Sequence, residues 1–347
     1  MIIFGIISAI TIDIRNLAVI IPVFTGLIFF LDFVFYKNQR EKVKKMLILF
    51  ASYIVLTSVF VVIMMPYLWN NPLKNFIEMW IVFSHYPQQI PDLYLGKYVL
   101  ATQLPWHYIP VWIFITTPPL YSIFFIIGAV SLIFKLKNFK TFYISNKNNL
   151  IFLLWFFLPL GMIIILHSNL YNAWRQMFFI YPAFLLISLE GIIYVYKKFK
   201  KNTYVIGIFY LCIILSLINT IRLMINLHPY ENLYFNIFAG QNMKIIRQNF
   251  ETDYWGLSYR RGLEYILSHD SRKKIYILAE NDPARTNSLL LPDNERKRLY
   301  FYDGIQNIGK VDYYMTDYFN SRNVLPYKQF YSVTIDGAKI MTVYKLR

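Results

Sequence analysis

Along the first 224 positions the apolar residues fall in long unbroken runs, and beyond them the pattern shortens to the periods of a water-facing fold. Leu17 to Tyr36, Met46 to Met65, Pro118 to Phe134, Leu150 to Leu166, Met177 to Tyr196 and Tyr204 to Met224 each approach the about 20 apolar residues that a helix needs to cross a bilayer. The first apolar piece, Met1 to Ile12, is short for a span and closes on Asp13, Ile14 and Arg15. The segment from Pro66 to Tyr108 is rich in Trp, Tyr, Asn and Pro, so it reads as a long loop, part of which lies along the membrane surface. After Ile225, Asp253 to Ser268 reads as an amphipathic helix with Leu257, Leu263, Ile266 and Leu267 as its apolar positions. Lys274 to Ala279, Leu299 to Tyr302 and Val311 to Thr316 read as short strands, and Gln329 to Lys345 as a hairpin turning at Asp336 and Gly337. The pattern predicts a mostly α, polytopic membrane helix bundle of about six spans over residues 1–224, with an external loop at 66–108. A small external α/β domain follows over 225–347.

One stretch breaks the regularity. Leu104 to Tyr121, LPWHYIPVWIFITTPPLY, holds four prolines, and neither Pro118 nor Pro119 offers an amide proton, so both belong in the first turn of a helix. Thr117 is placed to cap that helix, whose exposed amides could receive an anion. Irregular backbone next to an apolar run is tolerated where it is buried in protein or lines a wet cavity, so this stretch is expected to form the lip of a cavity at the outer membrane face.

Composition agrees with a membrane protein: 57% of the 347 residues are hydrophobic and 16% are charged, and the mean hydropathy is +0.41. The net charge of +16 raises nucleic acid as a partner. The lysines, however, cluster in short loops, at Lys37 to Lys45, Lys135 to Lys147 and Lys197 to Lys201, as the positive-inside rule requires of cytoplasmic loops. Nucleic acid is therefore not the expected partner, and membrane lipid is. The same rule places the C-terminal domain on the external side of the cell membrane. With Cys212 as the one cysteine, the chain can form neither an internal disulfide nor a cysteine metal site, and no metal centre is expected. P-loop, HExxH and GxSxG motifs are absent.

The residues that could carry chemistry gather near the external ends of the spans. Arg15 and Arg175 are guanidiniums on the side where bases are disfavoured; each could clamp a lipid phosphate, or pair internally and snorkel, Arg15 with Asp13 in particular. His85, His107 and the adjoining Tyr108 lie among aromatics, an arrangement suited to a stacked sugar ring or to a histidine simply satisfied at the interface. His167 and Tyr171 precede Arg175, with Asn169 and Asn172 between as hydrogen-bonding groups. Asp253 and Glu264 read as surface carboxylates.

PYLWNNP (Pro66 to Pro72), SHYP (Ser84 to Pro87), LPWHYIPVWIFITTPPLY, LYNAWRQMFFIYPAFLL (Leu170 to Leu186) and DYWGLSYRRGLEYIL (Asp253 to Leu267) together resemble bacterial multi-pass glycosyltransferases of the GT-C superfamily, in the protein-mannosyltransferase-like branch. The resemblance implies transfer of a sugar from a polyprenyl-phosphate donor to an acceptor hydroxyl at the external membrane face, with the lipid-linked sugar as partner. It further implies a catalytic aspartate in a first external loop, which has no counterpart here. The chain is thus expected to match the C-terminal two-thirds of such a protein, with the catalytic acid missing and a separately encoded N-terminal half as a partner. Of the acids in the spans and the external loop, Asp32 and Glu190 fall toward the cytoplasmic side and Asp13 lies beside Arg15, which leaves Glu78 and Asp92 free to substitute. A transporter or flippase for a lipid-linked or polar substrate, using the same wet cavity, and a non-catalytic scaffold are the alternatives.

Overall fold

The computed structural model describes residues 1–36, 39–84, 91–319 and 325–347, and the chain divides into two compact units, Met1–Pro87 and Gln88–Arg347. The predicted domain boundary at 225 falls within the second.

The first unit is helical: α1 (Ile2–Ile14), a 3-10 turn (Asn16–Val19), α2 (Ile20–Tyr36), α3 (Arg40–Met64), a second 3-10 turn (Pro66–Leu68) and α4 (Pro72–Ser84). Small residues let α1 lie close on α3. A Cβ added to Gly5 would come 3.2 Å from that of Leu56, and the Tyr53 hydroxyl donates to Ser8 at 3.1 Å. Ala9, Ile12, Val61, Met65 and Leu68 form the core of this unit. In α4 the i, i+4, i+8 residues Leu73, Ile77 and Ile81 form an exposed apolar stripe. The Asp13–Arg15 pairing raised by the sequence does not form: among the described residues Arg15 makes no ion pair and stands exposed where α1 ends.

The second unit opens with an antiparallel hairpin, β1 (Pro91–Tyr94) and β2 (Lys97–Leu100), which sequence reading left inside the long loop. There follow α5 (Tyr108–Ile115), α6 (Pro119–Lys135), a 3-10 turn (Leu136–Asn138), α7 (Phe139–Ile165), a 3-10 turn (Arg175–Ile180), α8 (Tyr181–Phe199) and α9 (Thr203–Leu227).

Among the described residues, five helical runs are long and apolar enough to cross a membrane, the third being Pro119–Ile165 with 47 residues. At about 1.5 Å per residue that run would extend about 70 Å, more than twice the hydrocarbon thickness. The 3-10 turn beside Lys135, Lys137 and Lys140 breaks it into α6 and α7, each of span length, which reconciles five runs with six expected spans. The helices α6 and α8 approach through facing glycines: a Cβ on Gly128 would strike the Ile187 carbonyl, and one on Gly191 the Phe124 carbonyl. Small residues allow such backbone contact between membrane helices, where dispersion must replace the hydrophobic effect.

The break between α5 and α6 has a specific repair. In a continuous helix the amides of residues 118 and 119 would reach the carbonyls of Phe114 and Ile115, and prolines cannot supply them. Asn236 does so instead: its backbone amide donates to the Ile115 carbonyl at 2.8 Å, and its side-chain Nδ2 to the carbonyls of Phe114 at 2.5 Å and Thr117 at 2.7 Å. Thr117 is not the predicted cap. Its hydroxyl is buried without a hydrogen-bond partner among the described residues, and the helix starts at Pro119 behind Pro118. The amides of Tyr121 and Ser122 turn to the Pro118 carbonyl, which leaves few free for an anion.

The rest of the chain carries α10 (Met243–Asn249), α11 (Tyr259–His269), α12 (Pro283–Ser288), α13 (Asp293–Arg296) and the strands β3 (Ile275–Ala279), β4 (Leu299–Tyr302), β5 (Tyr313–Thr316), β6 (Lys328–Ile335) and β7 (Ala338–Lys345). The sheet order is β4–β3–β5–β7–β6, with β4, β3 and β5 parallel and β7 antiparallel to both its neighbours. The hairpin β6–β7 turns at Asp336 and Gly337, both at positive φ, as its sequence requires. The helix α11 packs onto the sheet where Gly262 meets Met315, Met341 and Val343.

Candidate functional site

The chain between α7 and the 3-10 turn that leads into α8, residues 166–174, is irregular, and three non-glycine residues in it have left-handed backbone: His167, Asn172 and Ala173. Such conformations cost on the order of 1–2 kcal/mol each for a residue with a Cβ. Asp92 of β1 holds two of them in place. Its Oδ1 accepts the Asn172 amide at 3.0 Å, its Oδ2 accepts the Tyr108 hydroxyl, and the Ala173 amide is directed at it as well. The carboxyl group is 1% exposed. Burial pushes its pKa above the ordinary value, against the pull of Tyr108, the two amides and the charge of Arg175. Burial, with Asp92 beside it, pushes the Tyr108 hydroxyl well above its own ordinary value. With both oxygens engaged, Asp92 is a strut that fixes the loop carrying Arg175. The sequence reading of Asp92 as a free acid is corrected on this point.

Arg175 emerges from that loop with its guanidinium over two rings, 4.8 Å from the centroid of Tyr171 and 5.0 Å from that of Trp255. It makes no hydrogen bond or ion pair through its guanidinium among the described residues. Trp255 arrives from 80 positions downstream on the turn Asp253–Tyr254–Trp255–Gly256. Asp253 builds this turn: Oδ1 accepts the Leu257 amide at 3.1 Å and Asn232 Nδ2 at 3.3 Å, and Oδ2 accepts the Ser258 amide at 2.9 Å and hydroxyl at 2.5 Å. Gly256 has φ +61, and a Cβ there would meet Pro283. Asp253 is therefore a buried anchor, 3% exposed, and not the surface carboxylate expected. Its hydrogen bonds hold residues 254–258 in a turn and delay the helix, expected from Asp253, to Tyr259. Glu264 is an exposed carboxylate, paired with Arg260 at 2.9 Å.

Beside Trp255 lies a cavity of about 420 Å³ with a largely aromatic wall that includes Trp112, Trp174, Tyr181, Tyr234, Tyr254 and Trp255. Its polar groups are Thr116, Asn232, Glu231 and Glu251. The Trp174 indole donates to the Thr116 hydroxyl at 2.9 Å, which fixes that ring. Asn232 Oδ1 is buried and has no hydrogen-bond partner among the described residues. Glu251 receives the Leu93 amide at 3.2 Å. Glu231 is held below the usual carboxylate range by the hydrogen bond from His228 at 2.6 Å. The cavity lies at the ends of α6 and α8 opposite to Lys135 and to Lys197–Lys201.

Of the residues singled out from sequence, Tyr108, Tyr171 and Arg175 come together here through Asp92. His107 stands behind them, its Nδ1 2.6 Å from the Tyr94 hydroxyl. His167 is apart, on a second cavity of about 380 Å³ that it shares with Trp106, Tyr108, Ile163 and Ile164. Arg15 belongs to the first unit, and His85 lies outside the described residues. Sequence reading missed Tyr254, Trp255, Asn232 and Glu251 as site residues. The signal present was DYWG itself, an aromatic pair bracketed by a turn-forming Asp and a Gly within an otherwise soluble pattern. Comparison of the chain with family models, with curated proteins and with solved structures gave no match.

Proposed function

We propose that this membrane protein is a glycosyltransferase of the GT-C type that binds a polyprenyl-phosphate sugar in the cavity beside Arg175. One observation carries the reading: a permanently charged guanidinium, over the rings of Tyr171 and Trp255 and free of any carboxylate partner among the described residues, lies against Trp255, one of the aromatic walls of the cavity. A planar donor fork is suited to a phosphate, and aromatic faces are suited to a sugar ring. Asn232, Glu231 and Glu251 supply groups for sugar hydroxyls. The basic loops at the far ends of α6 and α8 support an external position for this cavity by the positive-inside rule.

In the reaction so proposed, an acceptor hydroxyl attacks the anomeric carbon, the bond from that carbon to the phosphate oxygen breaks, and the lipid phosphate leaves with the bonding electrons. Arg175 stabilises the charge on the departing phosphate. The acceptor proton passes to a carboxylate, for which Glu231 and Glu251 are the groups on the cavity wall.

Donor binding tests this directly. With the chain in nanodiscs, Arg175→Ala should weaken binding of a polyprenyl-phosphate hexose by about ten- to a hundredfold, the worth of a charge-assisted hydrogen bond. Arg175→Lys should fall between, since lysine keeps charge and loses the fork. Equal binding by both variants and the parent overturns the phosphate role. Binding without release of lipid phosphate on addition of any acceptor favours carriage of the lipid-linked sugar over its transfer.

A further inference from the structure

The parallel strands β3 and β4 begin side by side, and at their amino ends the surface hollows between the end of α11 and the residues that lead into each strand. This hollow measures about 590 Å³, and its polar lining is Ser268, His269, Ser271, Lys273, Lys297 and Arg298, with no carboxylate. That composition is unusual for this part of the chain, where 17 bases and 13 acids lie between Ile225 and Arg347. Elsewhere in it four arginines find carboxylates, Arg260 with Glu264, Arg272 with Asp270 and Asp312, Arg285 with Asp303, and Arg296 with Asp293, while Arg247 and Arg347 donate to the carbonyls of Lys339 and Gly309. Asp270 is the nearest acid in sequence, and its carboxylate is turned to Arg272 and Tyr313, away from the lining.

Arg298 gives the hollow a fixed wall. Its guanidinium closes the end of α11 by donating to the carbonyls of Arg272 at 3.0 Å, Leu267 at 3.4 Å and Asp270. Lys273 and Lys297 have no hydrogen-bond or carboxylate partner among the described residues. Like charges gathered on a concave surface repel unless an anion joins them, and a concave wall focuses their field on the ligand. The hydroxyl of Ser271 adds a donor that a phosphate oxygen accepts, while that of Ser268 is spent on the Tyr265 carbonyl at 2.9 Å.

We propose that this hollow binds a phosphate-bearing anion, with Lys273 and Lys297 as the charged contacts and Arg298 as the positioning residue. The chemistry is shared by a soluble phosphate group and by the headgroup of an anionic lipid, and one experiment separates them. The whole chain is placed in nanodiscs of phosphatidylcholine, and amine acetylation of Lys273, Lys297 and the distant Lys310 is followed by mass spectrometry, with and without pyrophosphate. Protection of Lys273 and Lys297 by threefold or more, with Lys310 unchanged, is expected, and Lys297→Glu should abolish it at Lys273. Protection in nanodiscs containing phosphatidylglycerol without pyrophosphate identifies the lipid headgroup as the source; protection by pyrophosphate alone identifies a soluble one. Equal labelling of all three lysines under every condition, or uniform protection of all three, overturns the site.

Discussion

The Trp255 ring centroid lies 5.0 Å from the guanidinium of Arg175, which also lies 4.8 Å from that of Tyr171. This contact joins the loop before α8 to the turn before α11, and it sets the Arg175 guanidinium against a ring that walls the aromatic cavity. A cation over an indole face is worth about 0.5–1 kcal/mol at an exposed site, and Trp255 is 49% exposed. Trp255→Leu should therefore weaken donor affinity about two- to fivefold and leave the fold intact, as read by thermal unfolding alongside binding. No change in affinity would mean that Tyr171 alone orients Arg175.

Asn236 replaces two helix hydrogen bonds that Pro118 and Pro119 cannot make. Asn236→Ala keeps the backbone bond to Ile115 but strips the side-chain donor from the carbonyls of Phe114 and Thr117. Leaving buried acceptors unsatisfied costs about 1–3 kcal/mol. A lower midpoint of thermal unfolding in detergent is expected, and an unchanged midpoint would show that water takes over the role.

Asp317, at the end of β5, is pushed up to about 7 by burial and, next, by the charge of Glu280. Between pH about 4 and about 7 the folded chain then keeps a proton that the unfolded chain has released. Its contribution is fully present below the ordinary carboxylate range and is lost as pH rises toward 7, by at most about 1.4 kcal/mol per pH unit. Hydrogen exchange of the amides in β3 and β5, corrected for intrinsic rates, should quicken across this window in the parent. In Asp317→Asn that dependence should vanish; a parent profile that is flat from pH 4 to 7 would refute the assignment.

The proposed sidedness rests on the basic loops. In a Cys212→Ser background, an impermeant maleimide applied to intact cells should label Lys310→Cys and leave Lys42→Cys unlabelled. The reverse pattern would put the cavity on the cytoplasmic side.

Much of the architecture was legible from the order of residues alone, because it depends on neighbours in sequence. Runs of about 20 apolar residues announce spans without reference to anything distant. Lys274 to Ala279, Leu299 to Tyr302 and the Asp336–Gly337 hairpin were likewise readable, since strand period and turn chemistry are local. The prolines of TTPP announced a break in the helix.

What the local pattern could not supply was the partner that each unusual residue meets. Asn236 answers prolines more than a hundred positions before it, and nothing in LYFN marks it as their substitute. Asp92 and Asp253 resemble exposed acids in sequence, where a carboxylate carries no sign of the amides that will surround it; only packing buried both and turned them into anchors. Arg175 could be flagged as a lone external base, while its second ring, Trp255, arrived only when the C-terminal segment folded back onto the α7–α8 link. The order of the sheet and the pairing of β3 with both β4 and β5 were decided in the same way, by contacts that no short window of sequence contains.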